Sequence, residues 1–180
     1  MRQRAFLLSL TAAIAALTSG CGAGESSSDE QTHHNPALAD VIYEGKVNET
    51  QLEALLAVAS PKTDPARGAA IDAPSNNATL PPDRVATFQW HARGEAASAS
   101  GLAYFLVFST QADADTNAKL LRVFTDKSSY TPSATAWAKL KGANSWTTFE
   151  PLTATLAGDK LAADGGPYSG DTIQFCIDTP

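Results

Sequence analysis

The chain has 180 residues, a formal net charge of −6, 43% hydrophobic residues and two cysteines, Cys21 and Cys176. That length holds one domain with a sizeable core. The acidic balance excludes a nucleic-acid surface, which needs clustered Lys and Arg to displace counterions, and it offers no attraction to anionic lipid headgroups.

Residues 1–20 form the first unit. Arg2 and Arg4 make a positive start, residues 5–17 are mostly apolar but too short to span a bilayer, and Thr18, Ser19 and Gly20 are small. This pattern is that of a secretory signal peptide. Without Arg2 and Arg4 the remaining chain carries a net charge of −8. The ending Leu17-Thr18-Ser19-Gly20-Cys21 resembles the lipobox of bacterial lipoproteins, with Thr18 standing where leucine is commoner. The resemblance implies cleavage before Cys21, fatty acylation of Cys21 and anchoring to a membrane outside the cytoplasm. Gly22 is not the acidic residue that retains such proteins at the inner membrane of enteric bacteria, so the resemblance implies the outer membrane. A single acyl chain binds a bilayer with K on the order of 10⁴ M⁻¹ and each buried CH₂ adds about 0.8 kcal/mol, so several chains make release negligible. With Cys21 acylated, Cys176 has no partner for an internal disulfide and is either a quiet strand thiol or an intermolecular crosslink site.

Residues 21–35 contain almost nothing that can be buried and read as a flexible acidic tether. His33 and His34 within it lack the fixed geometry that a metal site needs. Residues 36–60 read as two short helices. In the first, Asn35-Pro36 is a cap and first-turn pair, Leu38, Val41 and Ile42 repeat at i, i+3, i+4, and Gly45 is the stop. In the second, Asn48 and Gln51 suit a capping box and Val47 and Leu52 a hydrophobic staple, and Leu52, Leu55, Leu56 and Ala59 form a stripe ending at Ser60-Pro61. A helix this short is marginal alone, so the stripe must dock, either on the domain that follows or on a partner protein. Residues 61–70 read as a linker.

From residue 71 the pattern changes to short strands. Residues 71–81 suggest a bent edge strand with an Asn-Asn turn. Residues 85–90 alternate, with Ala86, Phe88 and Trp90 on one face; residues 102–108 are apolar on both faces, as a central strand requires; residues 120–125 make another strand. Thr131-Pro132 opens a helical turn carrying Trp137 and Leu140 and closing near Gly142. Residues 146–149 and 152–156 read as two strands broken at Pro151, and residues 172–178 as a last strand with Ile173, Phe175 and Ile177 facing inward. The expected fold is mainly β, an antiparallel immunoglobulin-like sandwich over residues 71–180, preceded by two short helices.

Over residues 71–178 the chain also resembles fibronectin type III-like modules of bacterial surface proteins. The resemblance rests on Pro74-x-Asn76-x-Ala78-Thr79-Leu80, Thr87-Phe88-Gln89-Trp90, Tyr104 in a hydrophobic strand, and Ser129-Tyr130-Thr131-Pro132 with Trp137 and Leu140. It implies a sandwich fold, without fixing a function, and puts Trp90 and Tyr104 at positions usually buried in such modules.

Catalytic groups are scarce. Nucleophilic catalysis needs a base beside a serine or cysteine and a third group that orients the base. The region after the tether holds one histidine, His91, and no Gly-x-Ser-x-Gly elbow. Metal-ligand spacings such as His-x-x-x-His and Cys-x-x-Cys are absent. Asp113-Ala114-Asp115-Thr116-Asn117 copies the start of a calcium loop, but its sixth and twelfth positions are Ala118 and Phe124. The aromatic residues Trp137 and Trp146 are candidates for stacking on a glycan. The expectation is a non-enzymatic envelope lipoprotein with no cofactor or metal, which binds an envelope or surface protein through Leu52, Leu55 and Leu56. A carbohydrate-binding module is the first alternative, and a hydrolase or metalloenzyme with an unfamiliar site the second.

Overall fold

A computed structural model describes residues 35–94, 96, 99–110 and 119–178. The chain is a mainly β sandwich of a large and a small sheet. In order, a 3₁₀ turn (Pro36–Leu38) leads into β1 (Val41–Glu44), α1 (Glu49–Leu56), β2 (Lys62–Thr63), β3 (Ala69–Ala73), β4 (Ala78–Leu80), β5 (Phe88–Ala92), β6 (Leu102–Thr110) and β7 (Leu121–Thr125). Then come β8 (Ser129–Tyr130), α2 (Ala134–Gly142), β9 (Thr147–Ala157), β10 (Lys160–Leu161), β11 (Tyr168–Ser169) and β12 (Ile173–Ile177).

The small sheet is β3-β5-β8, antiparallel throughout. The large sheet runs β1-β7-β6-β9 and then branches, because β9 is long enough to pair with three strands in succession, the last of them β10 at Leu156 and Ala157. The first residues of β9 pair with β12, which carries β4, and later ones pair with β11, which carries β2. The Asn77 turn, in the left-handed region at φ 61°, hands the chain from β3 in the small sheet to β4 in the large one. Asparagine tolerates that conformation, as the Asn-Asn pair implied. With β3, β5 and β8 on one side and β6, β7, β9 and β12 on the other, the division of strands is immunoglobulin-like.

Alternation fixes which side chains meet. Phe88, Trp90 and Ala92 point inward from β5; Tyr104, Leu106 and Phe108 from β6; Ile173, Phe175 and Ile177 from β12. They enclose the inter-sheet core with Tyr130 and Phe149, and α2 closes it with Ala136, Trp137 and Leu140. The other face of β6, with Ala103, Phe105 and Val107, forms a second core with Phe124, Leu152, Ala154 and Leu156, under Leu38, Val41, Val47, Leu52 and Leu55. The two-faced apolar run of β6 thus serves two layers.

Four expectations need correction. The first of the two helices before the sandwich is only a 3₁₀ turn, and its later residues form β1, in parallel register with β7 from Val41 opposite Arg122 to Glu44 opposite Thr125. Val, Ile and Tyr favour strands, and the free edge of β7 offers them a ladder. Gly45, at φ 87°, ends β1; any Cβ there would strike the Asp126 carboxylate. One helix therefore precedes the sandwich, and α2 sits inside it, between β8 and β9. Second, the large sheet is mixed, since β1, β2 and β4 all pair in parallel. Third, the linker at 61–70 is not structureless: it contains β2 and the start of β3.

Fourth, β9 runs unbroken through Pro151. Leu156 donates its N–H to Gly101 beside β6, and Thr155 donates to Gly165 on the opposite side. Amide directions alternate along a strand, so Pro151 lacks its N–H on the side away from β6. That side faces the gap between Ser169, where β11 ends, and Ile173, where β12 begins. No ladder bond is lost there.

Candidate functional site

The leucine-stripe helix is built as its sequence indicates. Asn48 Oδ1 accepts from the Gln51 amide at 2.9 Å and Gln51 Oε1 accepts from the Asn48 amide at 3.1 Å, a complete capping box. The spare donors of the same two residues reach across: Asn48 Nδ2 to Asp159 and Gln51 Nε2 to the Gly158 carbonyl, both at 3.1 Å. The cap thus also fastens α1 to the β9–β10 turn. Leu52 and Leu55 are buried beneath the helix at 0% and 1% exposure; Leu52 is wholly enclosed, while Leu55 lines the groove described next. Of the three leucines assigned to partner binding, only Leu56 faces outward, at 41% exposure. Leucines at i, i+3 and i+4 subtend a wider arc than this helix buries.

The helix is shorter than the face it covers. Eight residues make about 12 Å of α-helix, whereas the nine residues of β6 extend about 30 Å. Beyond the C-terminal end of α1 a groove of about 520 Å³ remains, with Phe105, Val107 and Leu152 in its floor, and Leu56, Lys119 and Glu150 also lining it. Arg122, another lining residue, is committed elsewhere. Its guanidinium holds the Asp40 carboxylate and donates to the Ala37 carbonyl at 2.6 Å, tying the 3₁₀ turn to β7. The hydrogen bond from Arg122 holds the Asp40 carboxyl below its usual range. Lys119 and Glu150 make no ion pair among the described residues.

The glycan platform comes apart. Trp137 is 3% exposed, with its indole N–H donated to the Pro82 carbonyl at 3.2 Å, and is a core residue. Trp146 is exposed and is the one tryptophan of the three with an accessible ring. A row of stacking aromatics is therefore not formed by this pair. Trp90 is buried against Tyr104, with ring centroids 5.6 Å apart.

His91 lies on the exposed face of β5, its Nδ1 within 2.9–3.0 Å of both Asp72 carboxylate oxygens. The pair has the base and the orienting group of a triad, but it lines neither the groove nor the cavity described below. Among the described residues no group of three or more His, Cys, Asp or Glu is placed to hold a metal ion. Cys176 is half-buried on β12, its Sγ 3.5 Å from the Thr79 hydroxyl of β4. Cys21, His33, His34 and the residues 113–117 of the calcium-like run lie outside the described residues.

One cluster has no counterpart in the sequence reading. The Asp164 carboxylate, on a residue at φ 54°, accepts from Lys62 Nζ at 2.7 Å and from the Arg67 guanidinium, and lies 2.9 Å from the Tyr168 hydroxyl. Arg67 also reaches the Tyr168 hydroxyl at 2.7 Å, and both cations stand over the Tyr168 ring, at 5.4 Å and 5.6 Å from its centroid. A cavity of about 250 Å³ adjoins the cluster, walled largely by Ala96, Ala99, Ala162 and Ala163. Among the described residues every charge in the cluster has a partner of opposite sign, and the rest of the lining, four alanines with Thr155 and Gly165, carries no charged group. Its chemistry is that of a clasp holding residues 62–67 to the turn before β11. The hydrogen bonds from Lys62, Tyr168 and Arg67 hold the Asp164 carboxyl well below the usual carboxylate range. Asp164-Gly165-Gly166-Pro167 is turn chemistry in the sequence, but no local pattern pairs an arginine with an aspartate 97 residues away.

A depressed carboxyl stabilises the fold above its unfolded pKa of about 3.9, and that contribution is lost as the pH falls below this value toward the folded one. Asp164→Asn is expected to lower the melting temperature at pH 7 and to flatten its fall below about pH 4, which a melting series from pH 7 to pH 2 checks. Parallel curves for the two proteins at every pH would remove Asp164 from the account.

Compared with protein-family models, with curated proteins and with solved structures, the chain matches none.

Proposed function

We propose that this protein is a lipid-anchored envelope protein whose extracytoplasmic sandwich binds another protein and catalyses no reaction. The address rests on residues 1–21: a positive start, a short apolar run, and small residues leading to Cys21. Acylated Cys21 is the membrane partner, and the outer membrane the destination that Gly22 supports. The binding role rests on one observation above all, the open groove beyond α1 with Leu56 exposed in its wall and Phe105 and Val107 in its floor. An apolar floor with charges among its lining residues is the composition of a contact surface, not of a reaction centre. The resemblance of residues 71–178 to modules of bacterial surface proteins supports the same reading.

Mass spectrometry of the protein purified from its own cells tests the anchor. The mature N-terminal peptide is expected to begin at Cys21 and to carry the added mass of fatty acyl groups, and Cys21→Ala is expected to abolish both. An unmodified Cys21 inside a longer or differently cut chain would overturn the anchor.

A further inference from the structure

We infer that the groove beyond α1 is a contact between two copies of this chain, related by a two-fold axis, with Lys119 of each copy meeting Glu150 of the other. The inference rests on the reading of the domain as a binding module and names its partner. Three observations carry it. The groove is apolar in its floor and opens where the short helix stops, so the described residues leave a folded surface uncovered with Leu56 exposed beside it. Its lining includes one cation and one anion, Lys119 and Glu150, that have no ion-pair partner among the described residues, while Arg122 is held by Asp40 and the Ala37 carbonyl.

The third observation is the balance of those two charges. A surface selected for an acidic partner or a basic one carries an excess of one sign. A surface with one free charge of each sign about an apolar floor is complementary to itself, which an isologous contact demands: residue i meets residue j, and j meets i. The acidic chain repels other copies at long range, so pairing in dilute solution is weak. Anchors in one membrane confine copies to a shared surface and raise their effective concentration.

The test uses the full-length acylated chain in its own membranes. Leu56→Cys, treated with a short bis-maleimide, is expected to give a species of twice the chain mass, absent from a control that keeps Leu56. In the Leu56→Cys background, Lys119→Glu or Glu150→Lys alone is expected to reduce that species roughly fivefold or more, since two contacts turn repulsive together. The double reversal K119E/E150K is expected to restore it, because both contacts re-form with signs exchanged. A partner of different sequence would not follow the double reversal. Melting temperatures of all variants verify that the substitutions at exposed Leu56 and half-buried Lys119 and Glu150 leave the fold intact.

Crosslinking of Leu56→Cys to a different protein, with no doubled chain, overturns the pairing and leaves the binding-module reading standing. Crosslinking to nothing overturns both. A doubled chain that ignores the single reversals, or is not restored by the double one, overturns the Lys119–Glu150 arrangement.

Discussion

Phe108→Ala is expected to lower the unfolding free energy by about 3–5 kcal/mol, the usual cost of emptying an enclosed aromatic site. Phe108 has no exposed surface and sits where four rings converge. Its centroid is 4.8 Å from Phe149, 5.0 Å from Phe88, 6.2 Å from Tyr130 and 6.4 Å from Phe175. Those four come from β9, β5, β8 and β12, so one truncation loosens both sheets at once. A domain has about 5–15 kcal/mol in total, and a loss of this size takes a large share of it. Urea unfolding followed by tryptophan fluorescence measures the effect, since buried Trp90 lies 6.0 Å from Phe149. Phe108→Leu keeps most of the volume and is expected to cost clearly less. A shift below about 1 kcal/mol for the alanine variant would mean that the cavity collapses freely, contrary to a close-packed inter-sheet core.

The second large effect separates two neighbouring leucines. Leu52→Ala is expected to cost about 2–5 kcal/mol, and Leu56→Ala no more than about 0.5 kcal/mol. The difference follows from where the side chains point: Leu52 is wholly enclosed with Val47, Leu55, Phe105 and Phe124 in the outer core, whereas Leu56 faces the open groove. Comparable urea midpoints for the two variants would mean that α1 does not rest on the sheet. The pair of measurements also keeps stability apart from binding, because only Leu56 can be changed at the surface without emptying a core.

Local patterns revealed much of this architecture. The capping box at Asn48 and Gln51, the inward set Ile173, Phe175 and Ile177, and the two-faced run of β6 all depend on neighbours a few residues apart. Where the deciding partner is distant, the pattern was ambiguous. Leu38, Val41 and Ile42 fit a helix face, and Val41 to Tyr43 fit a strand equally well; the vacant edge of β7, some 80 residues later in sequence, chose the strand. Pro151 breaks a strand by local rules, but here it meets a gap between two other strands. Trp137 and Trp146 carry the same ring in nearby positions, and only the placement of α2 over the end of the core buries the first. The Asp164 clasp joins segments about 100 residues apart and has no local signature.

The route by which the chain joins the sheet has a mechanical consequence. The Asn35 amide is held by Glu49 at 2.7 Å and its side chain by Glu53 at 3.0 Å, and the chain then passes through one 3₁₀ turn into β1. Because β1 lies alongside β7 in parallel register, a pull on the chain ahead of Asn35, directed along the strand, loads the ladder in shear. Its hydrogen bonds must then yield together, where a strand peeled from its end would release them one at a time. The Arg122–Asp40 pair lies at the end of β1 that takes the load first, positioned as a rivet on that joint.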